Sequence, residues 1–230
     1  MLRVSAIPYD SGVVHSLILT GGGDFVDPWH PFAETSSRIA GILAELGHDV
    51  TISDSVTESL RHLDERAPDL LLINAGNAER PLATDAADVA SVRDYLGGGG
   101  ALIAVHVVST AFPEVNEWER IVGGRWVRGT TMHPDQGDGE VRVVVGHPIT
   151  QGIADFTIYD ELYSWMRVAA DDRVLATHHY EGVDHPIAWA REVDGARVVY
   201  DALGHDARSF DAEGHRQLLA NSARWALREI

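Results

Sequence analysis

Residues 101–105 (ALIAV) form a short, wholly apolar run, entered from Gly97-Gly98-Gly99-Gly100 and left through one polar residue, His106. Such a run between turn signals reads as a strand buried on both faces of a parallel sheet. Val107-Val108-Ser109-Thr110 then lead into a helical pattern. Open α/β sheets display reactive groups at a strand-to-helix turn of this kind, which makes His106 the first candidate for chemistry. The chain contains no Cys. Any site here works with imidazoles, carboxylates and hydroxyls, or with a metal they hold.

The same grammar recurs upstream. Residues 15–20 (HSLILT), 49–53 and 69–74 (DLLLIN) read as strands. Residues 32–46, 57–65 and 85–96 read as helices, with Gly47 past the end of the first, Pro68 stopping the second and Thr84 placed to cap the third. This β-α-β-α-β-α-β order specifies a doubly wound, mostly parallel sheet flanked by helices. Beyond Thr110 the pattern changes. A short helix over 117–122 precedes Gly123-Gly124-Arg125-Trp126, and 140–145, 173–177, 186–191 and 197–202 read as additional, antiparallel C-terminal strands. Asp211 is placed to cap a last helix bearing Leu218, Leu219, Ala223, Trp225 and Ala226. No repeat or linker divides the chain, so a single domain over 1–230 is expected, with 1–14 as an N-terminal arm.

Charge narrows the partners. The 230 residues carry a net charge of −17, and all 18 basic residues are Arg. Nucleic acid and anionic membrane both require clustered cations, so neither is expected. No apolar span reaches membrane length, and the N-terminus lacks the apolar core of a signal peptide. A cytoplasmic protein is expected, with a small-molecule partner and room for homo-oligomerisation.

Ligands of a doubly wound sheet bind beyond the carboxyl ends of its strands. Gly22 and Asp24 follow the first strand, Asn77 the third, His106 the fourth, and His205 with Asp206 the last. The glycines of GGGDFVDP match neither a dinucleotide fingerprint nor a P-loop, so no nucleotide is expected. Of the twelve His, those in His30-Pro31, His133-Pro134, His147-Pro148 and His185-Pro186 read first as loop-forming dipeptides. His133 stands out from these because its loop follows Gly123-Gly124-Arg125-Trp126. His178 and His179 must point to opposite faces of one strand. Asp160-Glu161-Leu162-Tyr163 sets two acids against an apolar stretch, and Glu161 there reads either as a turn residue or as a general acid or base.

Several ordered segments together resemble the ThuA-like (trehalose-utilisation) family. They are residues 101–106, 122–126 with His133-Pro134, 147–153 (HPITQGI), 160–163, 186–191 and 197–206. The resemblance implies a flavodoxin-like, class I glutamine amidotransferase-like fold. In amidotransferases a Cys occupies the turn where this chain has His106, and His-Pro-Glu follows a late strand where this chain has Gly204-His205-Asp206. With no Cys, glutamine hydrolysis through a thioester is excluded. The family is associated with catabolism of disaccharides and keto-glycosides.

The expected function is therefore sugar catabolism by His/carboxylate acid–base chemistry on a glycoside or keto-sugar. Candidate catalytic residues are His106, Glu161, His205 and Tyr163. Gly22, Asp24, Asn77, His133 and Asp206 are candidate substrate contacts. A divalent metal such as zinc is the candidate cofactor, with His106, His133 and His205 as its ligands. The competing reading is a non-catalytic carbohydrate-binding or scaffold protein.

Overall fold

The computed structural model describes residues 12–77 and 80–230. The expected N-terminal arm therefore falls, as far as residue 11, outside the described residues. Eleven strands are present among the described residues: β1 (His15–Thr20), β2 (Asp49–Ser53), β3 (Leu70–Asn74), β4 (Ala101–Val105), β5 (Gly124–Arg125), β6 (Gly137–Val143), β7 (Phe156–Asp160), β8 (Arg167–Val168), β9 (Arg173–Tyr180), β10 (Val183–Val193) and β11 (Ala196–Asp201). Nine of them join in one sheet of order β2-β1-β3-β4-β11-β10-β9-β6-β7, while β5 and β8 form a separate ribbon.

The first five strands in that order run parallel. Their 2-1-3-4-5 pattern is the flavodoxin-like winding, whose switch point lies between β1 and β3. The sequence explains why β3 and β4 sit at the centre. Every residue of both strands is buried, as continuous apolar runs require. The helices α1 (Phe32–Glu45), α2 (Val56–Arg61), α3 (Asp85–Gly97), α4 (Asn116–Val122) and α5 (Glu213–Ala226) cover the sheet. They pack in two groups, α1 with α5 and α2 with α3 and α4. No helix among the described residues is long and apolar enough to cross a membrane.

The remaining strands are antiparallel, and here the sequence reading needs correction. β6 begins three residues before the expected position, and β7 has no counterpart among the expected strands. β10 is eleven residues long and contains His185-Pro186, which is therefore strand and not loop. Proline lacks the N–H a ladder needs, and the register shifts at this point, between Pro186 and Ala188. Asp211 does not cap α5. Ala212 holds that position, and Asp211 pairs with Arg38 at 3.1 Å. Thr84 occupies the N-cap of α3 but makes no side-chain cap bond.

Two buried imidazoles reinforce the sheet. His215 on α5 lies 3.0 Å from Asp201 at the end of β11, its other nitrogen donating to Ser209 O. Both partners are out of water. On β9, His178 is buried and His179 exposed, as alternation demands. His178 Nε2 donates to Tyr163 O at 3.0 Å.

Two outcomes follow from these pairs. His215→Ala leaves the Asp201 carboxylate buried without its charged partner, with only the Leu203 N–H still donating to it, and should cost about 3–5 kcal/mol of stability in urea titrations. A loss below about 1 kcal/mol would show that the pair is dispensable. Burial lowers the His178 pKa from 6.5 to about 4. The unfolded chain thus binds the extra proton first, so this group costs stability as pH falls from 6.5 through about 4. His178→Gln should flatten the fall in urea midpoint between about pH 7 and about pH 5. An unchanged slope would assign the acid sensitivity elsewhere.

Candidate functional site

The site begins at His106. The strand ends at Val105, and His106 takes a positive φ of 50° before a 3-10 turn over His106–Thr110. That conformation is uncommon for a residue with a side chain, and here two hydrogen bonds hold it. Tyr200 OH donates to His106 O at 2.5 Å, and His106 Nδ1 donates to Ala202 O at 2.6 Å. The carbonyl can only accept, so the proton sits on Nδ1 and Nε2 carries a lone pair. Tyr163 OH donates to that lone pair at 2.9 Å. Burial, together with neighbouring His30, holds the His106 pKa well below 6.5. The ring is neutral. The loop after β3 is threaded against this turn: a Cβ on Gly76 would lie 2.8 Å from Val107 Cγ1.

His205 arrives from the far side. Its backbone N–H and that of Gly204 both donate to the Asp160 carboxylate, at 3.1 and 2.8 Å. Asp160 ends β7, so the outermost strand of the sheet grips the loop that follows the central β11. Burial raises the Asp160 pKa even against those donors. Glu161, the next residue, turns the other way. Its Oε2 lies 3.0 Å from His205 Nδ1, 3.5 Å from His133 Nε2 and 4.0 Å from His106 Nε2. Burial pushes the Glu161 pKa up, but the His205 contact and the surrounding imidazoles outweigh it, and the net shift is downward. The His205 pKa moves up: burial opposes the charge, and Glu161 more than offsets it.

The fourth member is one the sequence reading passed over. His30 lies in the loop after β1, as an His-Pro dipeptide suggests, but its ring is turned inward. The ring centroids of His30 lie 5.0 Å from His106 and 4.8 Å from His205. Asp27 orients it, accepting from His30 Nδ1 at 2.7 Å and from the backbone N–H groups of Trp29 and His30. His30 Nε2 is buried and has no hydrogen-bond partner among the described residues. His205 Nδ1 is likewise unsatisfied, because its 3.0 Å approach to Glu161 lacks hydrogen-bond alignment. One ligand atom from each of His30, His106, Glu161 and His205 lies within 4.8 Å of the others. The readable signal was the carboxylate three residues before His30, at the strand-end rim where ligands gather.

His133, expected as the third imidazole, is not one of these four. It stands on the cavity wall, one-third exposed, with Nδ1 donating to Pro134 O at 2.9 Å. Tyr163 is buried on the same wall. The cavity, about 750 Å³, is bounded by Trp29, Trp126, Arg125, His133, Glu161 and Tyr163 among others. Trp126 packs edge-on against Tyr163 at 4.8 Å.

The other expected substrate contacts lie elsewhere. Gly22 makes a close approach to the loop after β2, where a Cβ would meet Asp54 O at 2.2 Å. Asp24 is exposed and paired with Arg80. Asn77 is buried and lines a separate depression with Asp24. Asp206 caps the turn Ala207–Asp211, accepting from Arg208 N and Gln136 Nε2 at 2.8 Å each.

Comparison with known proteins agrees with this architecture. A ThuA-like protein from Parabacteroides merdae superposes with a TM-score of 0.77 at 19% identity, covering 94% of this chain and 91% of that one. A second, from Bacteroides uniformis, gives 0.71 at 18% identity, with coverage of 93% and 91%. The β-galactosidase of Rahnella sp. R3 gives 0.64 at 13% identity, covering 93% of this chain but 31% of that one. Identities this low speak for the fold alone. No curated protein matches the chain. The sequence model of the ThuA family, described as trehalose utilisation, matches residues 25–226, and the chain belongs to that family.

Proposed function

We propose that this protein is an enzyme of sugar catabolism acting on a glycoside or keto-sugar at a divalent metal centre held by His30, His106, His205 and Glu161. One observation carries the reading: two buried imidazole nitrogens without hydrogen-bond partners face a carboxylate and a third, neutral imidazole. Leaving buried polar atoms unpaired is costly. A cation among them would satisfy all four groups at once.

The surroundings fit that role. His30 Nδ1 and His106 Nδ1 each donate to a fixed acceptor, Asp27 and Ala202 O. Each ring therefore presents its Nε2 lone pair inward, the arrangement that outer-shell acceptors impose on metal-binding histidines. Imidazole and carboxylate together suit zinc or a similar transition metal. Such an ion, when bound, would polarise a sugar carbonyl or hydroxyl.

The rest falls to the chain. Tyr163 OH donates here to His106 Nε2; were that lone pair given to a cation, the hydroxyl would be released to donate to the sugar oxygen instead. His133 lies outside the ligand cluster and opens to the cavity, and with Nδ1 donating to Pro134 O its Nε2 is the atom placed to accept a proton from the substrate. Trp126 offers an apolar face to the carbon skeleton. The family description supports a sugar, and the largely apolar, aromatic-walled cavity with a few convergent polar groups supports turnover over scaffolding.

Elemental analysis of protein purified without chelators or a His tag should find about one divalent ion per chain. His30→Ala should empty the site, while His133→Ala should retain the metal. Asp27→Asn should weaken metal affinity by about 10–100-fold. Equal metal content in wild type and His30→Ala would sink the ligand assignment. On a verified substrate, Glu161→Gln should lower turnover by about 10²–10⁴-fold with the fold intact, and unchanged turnover would reduce Glu161 to a structural residue.

A further inference from the structure

Trp29 is 63% exposed, although it adjoins a histidine whose ring is turned inward. A single exposed aromatic is unremarkable in itself. Its position is what matters. The indole borders the 750 Å³ cavity on one side and a smaller pocket of about 180 Å³ on the other. Asp24, Asp27, Asn77 and Arg80 contribute to the walls of that second pocket.

The smaller pocket carries an independent sign of a ligand. Asn77 is 5% exposed, and its amide Nδ2 has no hydrogen-bond partner among the described residues. A buried amide that donates to nothing is uncommon unless something else supplies the acceptor. In the same pocket, the Asp24–Arg80 ion pair offers both an acceptor and donors. Asp27 is already engaged by three N–H groups and serves to hold the Trp29 backbone.

We infer that this pocket is a second carbohydrate subsite, and that the enzyme takes a disaccharide or larger glycoside whose distal ring stacks on Trp29. A pyranose presents C–H groups on its faces and hydroxyls around its edge. The electron-rich indole face suits the former. Asn77, Asp24 and Arg80 suit the latter, offering donors and acceptors in the mixture that hydroxyls require. The pocket carries two acids, Asp24 and Asp27, against one Arg, which favours a neutral ligand over a phosphorylated one. The reacting ring would then lie at the His30–His106–His205–Glu161 cluster, on the other side of the same indole. The inference rests on the sugar reading of the main cavity and specifies the size of its substrate.

The test is calorimetric binding of trehalose, maltose and cellobiose against glucose, with metal content recorded for every sample. At least one disaccharide should bind roughly ten-fold or more tightly than glucose. Trp29→Ala should erase that preference, lowering disaccharide affinity by about ten-fold or more and well beyond any change in glucose affinity, since truncating an aromatic anchor costs that much. Asn77 is buried and its variant could misfold, so Arg80→Ala, at an exposed position, is the second probe and should also weaken the disaccharide. A preference that survives both substitutions overturns the subsite. So does a wild type that binds no disaccharide better than glucose, or one that binds adenosine there in place of a sugar. Metal loading without disaccharide preference removes the subsite and spares the metal centre. A Trp29-dependent preference in protein that takes up no metal does the reverse.

Discussion

The hydrogen bond from His106 Nδ1 to Ala202 O decides what the site can be. A buried imidazole at a strand end has two tautomers and no solvent to choose between them. The carbonyl beyond β11 chooses: it can only accept, so the proton stays on Nδ1 and the lone pair on Nε2. Tyr200 returns the constraint by donating to His106 O. These reciprocal bonds lock together the ends of two neighbouring parallel strands, and they hold a backbone conformation that an ordinary turn would not keep. Remove them, and the remaining residues have no fixed point to assemble around.

Three imidazoles crowded near one carboxylate are a poor bargain for a folded chain with nothing between them. Protonating His106 would bring it against His30, His205 and His133, and burial opposes the charge as well. Glu161 is the anion set among the rings, Asp27 standing behind His30, and it satisfies His205 only in part. Natural proteins keep such arrangements where function demands them, at a cost in stability that the rest of the core offsets. The core here is suited to that, with β3 and β4 wholly buried and Asp201–His215 closing the end of β11.

The parallel half of the fold was legible because each central strand is an unbroken apolar run between turn residues. His106 was legible for the same reason, since it directly follows such a strand, and His205 because it lies in the loop that leaves β11. The antiparallel half was harder. β7 alternates too briefly to stand out, and Pro186 reads as the first residue of a strand that begins at Val183 and bulges beside it. His30 was hidden more thoroughly. Its dipeptide correctly signals a loop, but a loop says nothing about where the ring points. That direction comes from Asp27, whose carboxylate accepts from the ring and from two backbone N–H groups. The Asp27-Pro28-Trp29-His30 segment therefore carries the information as a unit, and no single residue of it does.

The adjacent acids Asp160 and Glu161 show how one step along the chain divides structure from chemistry. Asp160 is fully buried at the end of β7 and spends its oxygens on the N–H groups of Glu161, Gly204 and His205. It positions the loop and has nothing left for a substrate. Glu161 points to the opposite side, stays partly exposed, and meets imidazoles alone. From sequence the two carboxylates are equivalent. What separates them is the pairing of β7 with β6 at the far edge of the sheet. That edge strand hands one acid to the backbone beyond β11 and the other to the cavity. The pair thus ties the last strand of the sheet to its centre, and the position of Glu161 depends on a bond that Glu161 does not make.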